Sequence, residues 1–242
     1  MKFNKYPPFA IVSAMQEELA AVLALMQGQQ KQTIAGRDFW LGQLHGRAVI
    51  VVLSRIGKVA AATTATILIE RFGVHSLVFT GVAGGLHPSA QVGDVVVATE
   101  FLHHDMDASP LFPKFEVPLT GVSRFAADTA LSRELARAVG CALPQVRLHR
   151  GLMVSGDRFV STTAESRAIQ AVLPDALAVE MEGAAIAQVC LDYGVAFAAV
   201  RTISDRADDE AHGDFVQFIK TTASPYSTAI VAALLGSDQT LI

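Results

Sequence analysis

Three acidic clusters sit where a carboxylate could do chemical work. Glu180-Met181-Glu182 follows the apolar segment Ala176 to Val179 and precedes the small-residue run Gly183 to Ala187, so two acids fall at a strand-to-helix junction where core is expected. Burying a charged carboxylate is costly unless it is well paired. Glu182 is therefore a candidate ligand-binding acid, and a sugar diol suits it, because one carboxylate can accept both hydroxyl hydrogens. The ordinary alternative is an exposed acid favoured at a helix start. Arg201-Thr202-Ile203-Ser204-Asp205 ends the most hydrophobic strand pattern, Val195 to Ile203, at the edge where open α/β sheets place ligands. Asp205 is a candidate acid whose protonation balances burial against a cation such as Arg201; against this, an Asp before Arg206-Ala207-Asp208-Asp209 could simply cap a turn. Ala14-Met15-Gln16-Glu17-Glu18 begins a helix after the first strand and puts Glu17 and Glu18 in its first turn. Glycines 81, 84 and 85 follow the strand Leu77 to Thr80 and let a ligand approach the backbone. They form neither G-x-G-x-x-G nor a Walker loop.

Convergent acids without a histidine cluster of metal spacing fit acid/base hydrolysis better than metal catalysis. His103-His104-Asp105-Met106-Asp107 could hold a metal on paper, but adjacent histidines point different ways, and no metal is expected. Serine chemistry has no support: Gly-x-Ser-x-Gly is missing, and Ser155-Gly156 has no assignable histidine.

Such groups need a scaffold. Short β-branched runs alternate with longer Ala-rich segments over the 242 residues, which predicts an α/β fold: one domain, three layers, a parallel or mixed sheet covered by helices on both faces. Strands are predicted at Phe9 to Val12, Ala48 to Leu53, Leu77 to Thr80, Asp94 to Ala98, Leu148 to Val154, Ala178 to Val179 and Phe197 to Ile203. Helices are predicted at Glu17 to Met26, Lys58 to Phe72, Ala126 to Val139, Ala164 to Val172, Gly183 to Tyr193 and Phe215 to Leu235. From His103 to Ser123, three prolines interleaved with Leu111, Phe112 and Phe115 exclude a helix or central strand. A long apolar loop of this kind suits a lid or a partner surface. With 51% hydrophobic residues and a net charge of −4, the chain has material for a large core and no basic run for nucleic acid. No apolar stretch reaches the ~20 residues of a membrane span, and the N-terminus does not read as a signal peptide. Cys141 and Cys190 suggest no disulfide or zinc site, and a reducing cytoplasm is expected.

Seven motifs occur in a recognisable order: Ala14-Met15-x-Glu17-Glu18, Ser54-x-Ile56-Gly57-Lys58-Val59, Gly81-x-Ala83-Gly84-Gly85-Leu86, Gly93-Asp94-Val95-Val96, Val154-Ser155-Gly156-Asp157-x-Phe159, Val179-Glu180-Met181-Glu182 and Ile203-Ser204-Asp205. The chain resembles the 5′-methylthioadenosine/S-adenosylhomocysteine nucleosidases of the nucleoside phosphorylase superfamily, from about residue 9 to about residue 220. The resemblance implies a single-domain α/β/α fold with a twisted mixed central sheet, and a homodimer that hydrolyses the N-glycosidic bond of adenine thionucleosides without metal or organic cofactor. It implies Asp205 as general acid to the purine N7, supported by Ser204 and Arg201, and Glu18 as the carboxylate that activates water. Glu182 then accepts from the ribose hydroxyls above Met181, Phe159 stacks on adenine, the backbone of Val160 reads its edge, and Gly84 lies near base and water.

Three departures from the family pattern stand out. Val82 replaces a common serine, Arg55 replaces a common glycine, where it could pair Glu18 or hold an anion, and Asp105 to Gly121 differs most. The loop residues Leu111, Phe112 and Phe115 are expected to close a partner subunit's site. Three rivals remain: a purine nucleoside phosphorylase, a futalosine-type nucleosidase and a catalytically silent nucleoside-binding protein. Acids at Glu17 and Glu18 repel phosphate, and retention of Glu18, Glu182 and Asp205 argues against silence.

Overall fold

A computed structural model describes residues 8–209 and 218–236. The parallel strands β1 (Phe9–Ser13), β4 (Arg47–Leu53) and β5 (Ser76–Gly85) form its centre, with Phe9 opposite both Val49 and Ser76. Their apolar residues divide by the two-residue period of a strand. Ala10, Val12, Ile50, Val52, Leu77 and Phe79 face a core shared with helices α2 (Lys58–Phe72) and α5 (Gly183–Tyr193). Phe9, Ile11, Val49, Val51 and Val78 face the opposite core, beneath α1 (Gln16–Leu23), α3 (Thr129–Ala142) and α6 (Ser224–Gly236). Full burial of one such side chain stabilises the fold by roughly 1.5–3 kcal/mol, which is why continuous apolar runs settle at the centre of the three layers. No helix among the described residues is long and apolar enough to cross a membrane.

Strand β5 is the pivot. Along one edge it pairs in parallel with β10 (Ala196–Asp205), from Ala196 opposite Ser76 to Asp205 opposite Gly84. Beyond β10 lie β6 (Val95–His103), β8 (Leu148–Ser155) and β9 (Ala176–Glu180), and β9 returns antiparallel to β5 at Gly84 and Gly85. The mixed sheet therefore curls into a ring, β5-β10-β6-β8-β9, from which β1, β4, β3 (Arg37–Leu44) and β2 (Gln27–Ile34) extend.

Several boundaries differ from expectation, each with a local cause. The hairpin β2–β3 was not predicted, because β2 is a solvent-exposed edge of glutamines with no apolar period, while β3 buries alternate residues from Arg37 to Leu41. Helix α1 ends at Leu23, three residues before the expected Met26. Strand β6 runs on to His103 by pairing with β8, and the two-residue β7 (Phe125–Ala126) pairs with it where a helix start was expected. Helix α3 begins later, at Thr129, because the Asp128 carboxylate accepts from the Leu131 amide at 2.8 Å. Helix α4 (Thr163–Val172) is capped in the same way by Thr162. Of the helix expected from Phe215, residues 215–217 lie outside the described residues; a π-helical turn (Ile219–Ala223) then leads into α6.

Candidate active site

Between Thr80, paired with Ser13 of β1, and Gly84, paired with Val179 of β9, one edge of β5 has no strand neighbour among the described residues. Three chain ends meet at this opening: the start of α1 with Glu18, the β9–α5 junction with Glu180 to Glu182, and the end of β10 with Arg201 to Asp205. Glu18, Glu180, Glu182, Arg201, Ser204 and Asp205 are all buried. The sheet places them there by losing a neighbour where a ligand can stand in its place.

The two acids of the β9–α5 junction divide the work. Glu180 is saturated: it accepts from the amides of Glu182 and Gly183, from the Ser155 hydroxyl, and from Arg201 Nη2 at 2.8 Å. Ser155 in turn accepts from the Ala184 amide at 2.8 Å, so this serine ties strand to helix. Glu182 accepts from the Gly57 amide at 2.8 Å, at the N-terminus of α2, and lies 4.0 Å from Arg201. Burial and the neighbouring Glu180 charge push its carboxyl up to about 7, against the pull of Arg201.

Arg201 lies over the Phe79 ring, its Cζ 3.5 Å from the centroid, and Glu180 holds one end of its guanidinium. Its Nε and Nη1 make no hydrogen bond, and neither do the two carboxylate oxygens of Glu18. All four atoms are buried, a condition that calls for a polar occupant. Gly81 sits beneath them: a Cβ there would stand 2.6 Å from Arg201 Nη1 and 3.3 Å from Glu18 Oε2. Burial pushes the Glu18 carboxyl up to about 7, with the Arg201 charge opposing.

At the end of β10 the register slips, so that Ile203 faces Ala83 and Asp205 faces Gly84, leaving Ser204 as the extra residue. This bulge re-aims the side chain. Asp205 accepts from Ser204 Oγ and from the Ala207 amide, each at 2.8 Å. A small cleft joins Asp205 to Gly84, Phe159, Val160, Val179, Glu180 and Met181. Phe159 is 40% exposed and brings an aromatic ring to this cleft. A Cβ at Gly84 would lie 2.9 Å from Asp205 Oδ1, so glycine is what admits the acid.

The family model of the phosphorylase superfamily matches residues 8–236. The chain belongs to that superfamily. Within it, the chain stands with the 5′-methylthioadenosine/S-adenosylhomocysteine nucleosidases. It is 38% identical to the Marinomonas sp. protein of that name, covering 94% of this chain and 98% of the relative, and 39% identical to the Anoxybacillus flavithermus one over 88% and 92%. A crystal structure of the Neisseria meningitidis nucleosidase in complex with methylthio-immucillin-A superposes with a TM-score of 0.91 at 35% identity, covering 96% and 99% of the two chains. A structure of a futalosine hydrolase mutant of Helicobacter pylori superposes at 0.87 with 30% identity over 94% and 98%.

The phosphorylase-superfamily frame also shows what lies beside the site. Val82 packs with Met15, Phe218 and Ala223. Arg55, read from sequence as a possible partner of Glu18 or an anion holder, donates to the Gly36 carbonyl, and its backbone sits at φ +67. In the histidine segment, His103 meets Gln188 at 3.1 Å, and Asp105 accepts from Lys58 at 2.6 Å and from the Asp157 amide at 3.0 Å. No group of metal-binding side chains occurs among the described residues. In the long loop Leu111 is 83% exposed, Phe112 is half-buried, and Phe115 packs against the cluster of Leu86, Leu102 and Val160 in its own chain. Two contributors were missed as site elements: Glu180, the anchor of Arg201, and Gly57, whose amide holds Glu182. The Ser155 and Gly57 motifs carried their signal, but only the fold brings 57 next to 182.

Proposed function

We propose that this protein hydrolyses the N-glycosidic bond of 5′-methylthioadenosine, S-adenosylhomocysteine or both, releasing adenine and the thioribose. The reading rests most on the buried Glu18 carboxylate and the Nε and Nη1 of Arg201, none of them hydrogen-bonded, closing over Gly81 beside the Asp205 cleft. As the C1′–N9 bond breaks, its electron pair goes to the purine, and Asp205 gives a proton to N7. Glu18 takes a proton from water as the water oxygen bonds to C1′. Glu182 accepts from the ribose hydroxyls over Met181, Phe159 stacks on adenine, and the Val160 backbone reads its edge. Each general acid or base of this kind contributes roughly 10²–10⁴ in rate. The test is incubation with each nucleoside, with and without phosphate, followed by adenine quantification. Equal adenine release in both supports hydrolysis. No adenine, or release that requires phosphate, overturns it. The futalosine-hydrolase neighbour supports a second reading, a futalosine-type nucleoside as substrate, and the same assay includes that nucleoside.

Replacing Glu182 with glutamine is expected to raise KM and lower turnover together, since a charge-assisted acceptor becomes a neutral amide. Steady-state kinetics unchanged in both constants would remove Glu182 from sugar binding. The protein is further proposed to act as a cytoplasmic homodimer in which Leu111, Phe112 and Phe115 help close the partner's site over the 5′-alkylthio group. Leu111 stands bare beside the half-buried Phe112, an arrangement that a partner surface would cover, and completing the burial of such a side chain is worth at most roughly 1.5–3 kcal/mol. Phe112→Ala or Phe115→Ala should weaken the dimer, or raise KM for methylthioadenosine more than for adenosine. A monomeric solution mass, with both variants discriminating as the parent does, overturns this role.

A further inference from the structure

A second cavity, of about 270 Å³, lies outside the site, between α1 and the β2–β3 turn. Leu19, Leu23, Leu53 and Trp40 supply its apolar wall, and Arg37 and Arg55 its charge. Neither arginine has a carboxylate within ion-pairing distance among the described residues; Asp38, the acid at the rim, is already engaged by Lys31 at 3.1 Å and Thr33 at 2.6 Å. Arg37 is 9% exposed and donates only to carbonyls, Ala35 at 3.1 Å and Ala60 at 3.3 Å, while its Nε is buried without a partner. Burial, then the charge of Arg55, depress its pKa. Arg55 occupies a left-handed backbone position at φ +67, a conformation that disfavours a side chain and is tolerated where a side chain is needed.

We propose that this cavity binds a carboxylate carried on a small apolar or aromatic body, with the guanidinium groups of Arg37 and Arg55 on the anion and Trp40 against the body. Paired guanidinium donors suit a carboxylate, and the volume sits at the small end for ligand sites. The carboxylate could belong to a free acid or to the 5′ substituent of a nucleoside.

Trp40 is the chain's single tryptophan, so its fluorescence reports on the cavity directly. Sodium benzoate is the probe, with benzamide and sodium chloride as controls. Benzoate is expected to change the emission saturably while neither control does. Arg55→Gly, which suits the φ of that position, should raise the half-saturation concentration at least tenfold, and Arg37→Gln provides a second variant if the first melts early. A linear response, one shared by benzamide, or one unaltered in both folded variants overturns the proposal. Displacement of benzoate by S-adenosylhomocysteine in Asp205→Asn protein, an arm that rests on the function proposed above, assigns the carboxylate to the nucleoside tail; co-binding assigns it to a free acid.

Discussion

Asp205→Asn should lower turnover at least ~100-fold while leaving the fold and much of nucleoside binding intact. The amide keeps the shape of the carboxyl and can still accept from Ser204 or the Ala207 amide, the two partners Asp205 has at 2.8 Å. It cannot release a proton to the purine, and loss of a general acid is worth roughly 10²–10⁴ in rate. Because the group acts in the transition state, kcat should fall with little change in ligand dissociation constant. Single-turnover kinetics and calorimetric titration separate the two. Turnover near that of the parent would take Asp205 out of the mechanism.

Glu18→Gln should cost a similar factor, and it carries a pH signature besides. The carboxyl ordinarily titrates at 4.5; burial pushes it up to about 7, and Glu182 likewise. Water activation needs Glu18 ionised, and the charge-assisted grip on ribose needs Glu182 ionised. The value of kcat/KM, which reports the free enzyme, should therefore fall as pH drops through 7, by up to two decades per pH unit where both groups protonate, and this acid limb should level off only about a unit above pH 7. In Glu18→Gln the residual activity should lose one of these two protons and fall by no more than one decade per unit. A parent profile flat from pH 5 to 8 would show that neither carboxyl must ionise.

How much of this was legible from the residues depends on the kind of signal. Continuous apolar runs on β1, β4, β5 and β10 and the extent of α2 and α5 were readable, because burial on two faces and helical composition leave local marks. The hairpin β2–β3 was not, since an exposed edge strand of glutamines is held by its neighbour's backbone and not by its own pattern. The acids were legible as acids out of place, but the division of labour between Glu180 and Glu182 was not. It depends on which of two carboxylates two residues apart meets Ser155 and Arg201, a long-range fact. The site's location at an unpaired stretch of β5 was hidden for the same reason: glycines at 81 and 84 suggest close approach, and only topology says what approaches.

Those two glycines also constrain how the sequence can drift. Any replacement at Gly81 puts a carbon 2.6 Å from Arg201 Nη1, and the arginine cannot swing aside, being stacked on Phe79 and tied to Glu180. At Gly84 the added carbon meets Asp205 Oδ1 at 2.9 Å and Ala207 Cβ at 3.0 Å. Neutral amino-acid replacement is closed at both positions. Val82 lies between them, partly buried against Met15, Phe218 and Ala223, where a smaller or hydroxylated side chain meets no fixed charge. Within a run of four residues, two are frozen by the buried charged groups beside them, Arg201 and Asp205, and Val82 is not, so divergence among these positions should concentrate at 82.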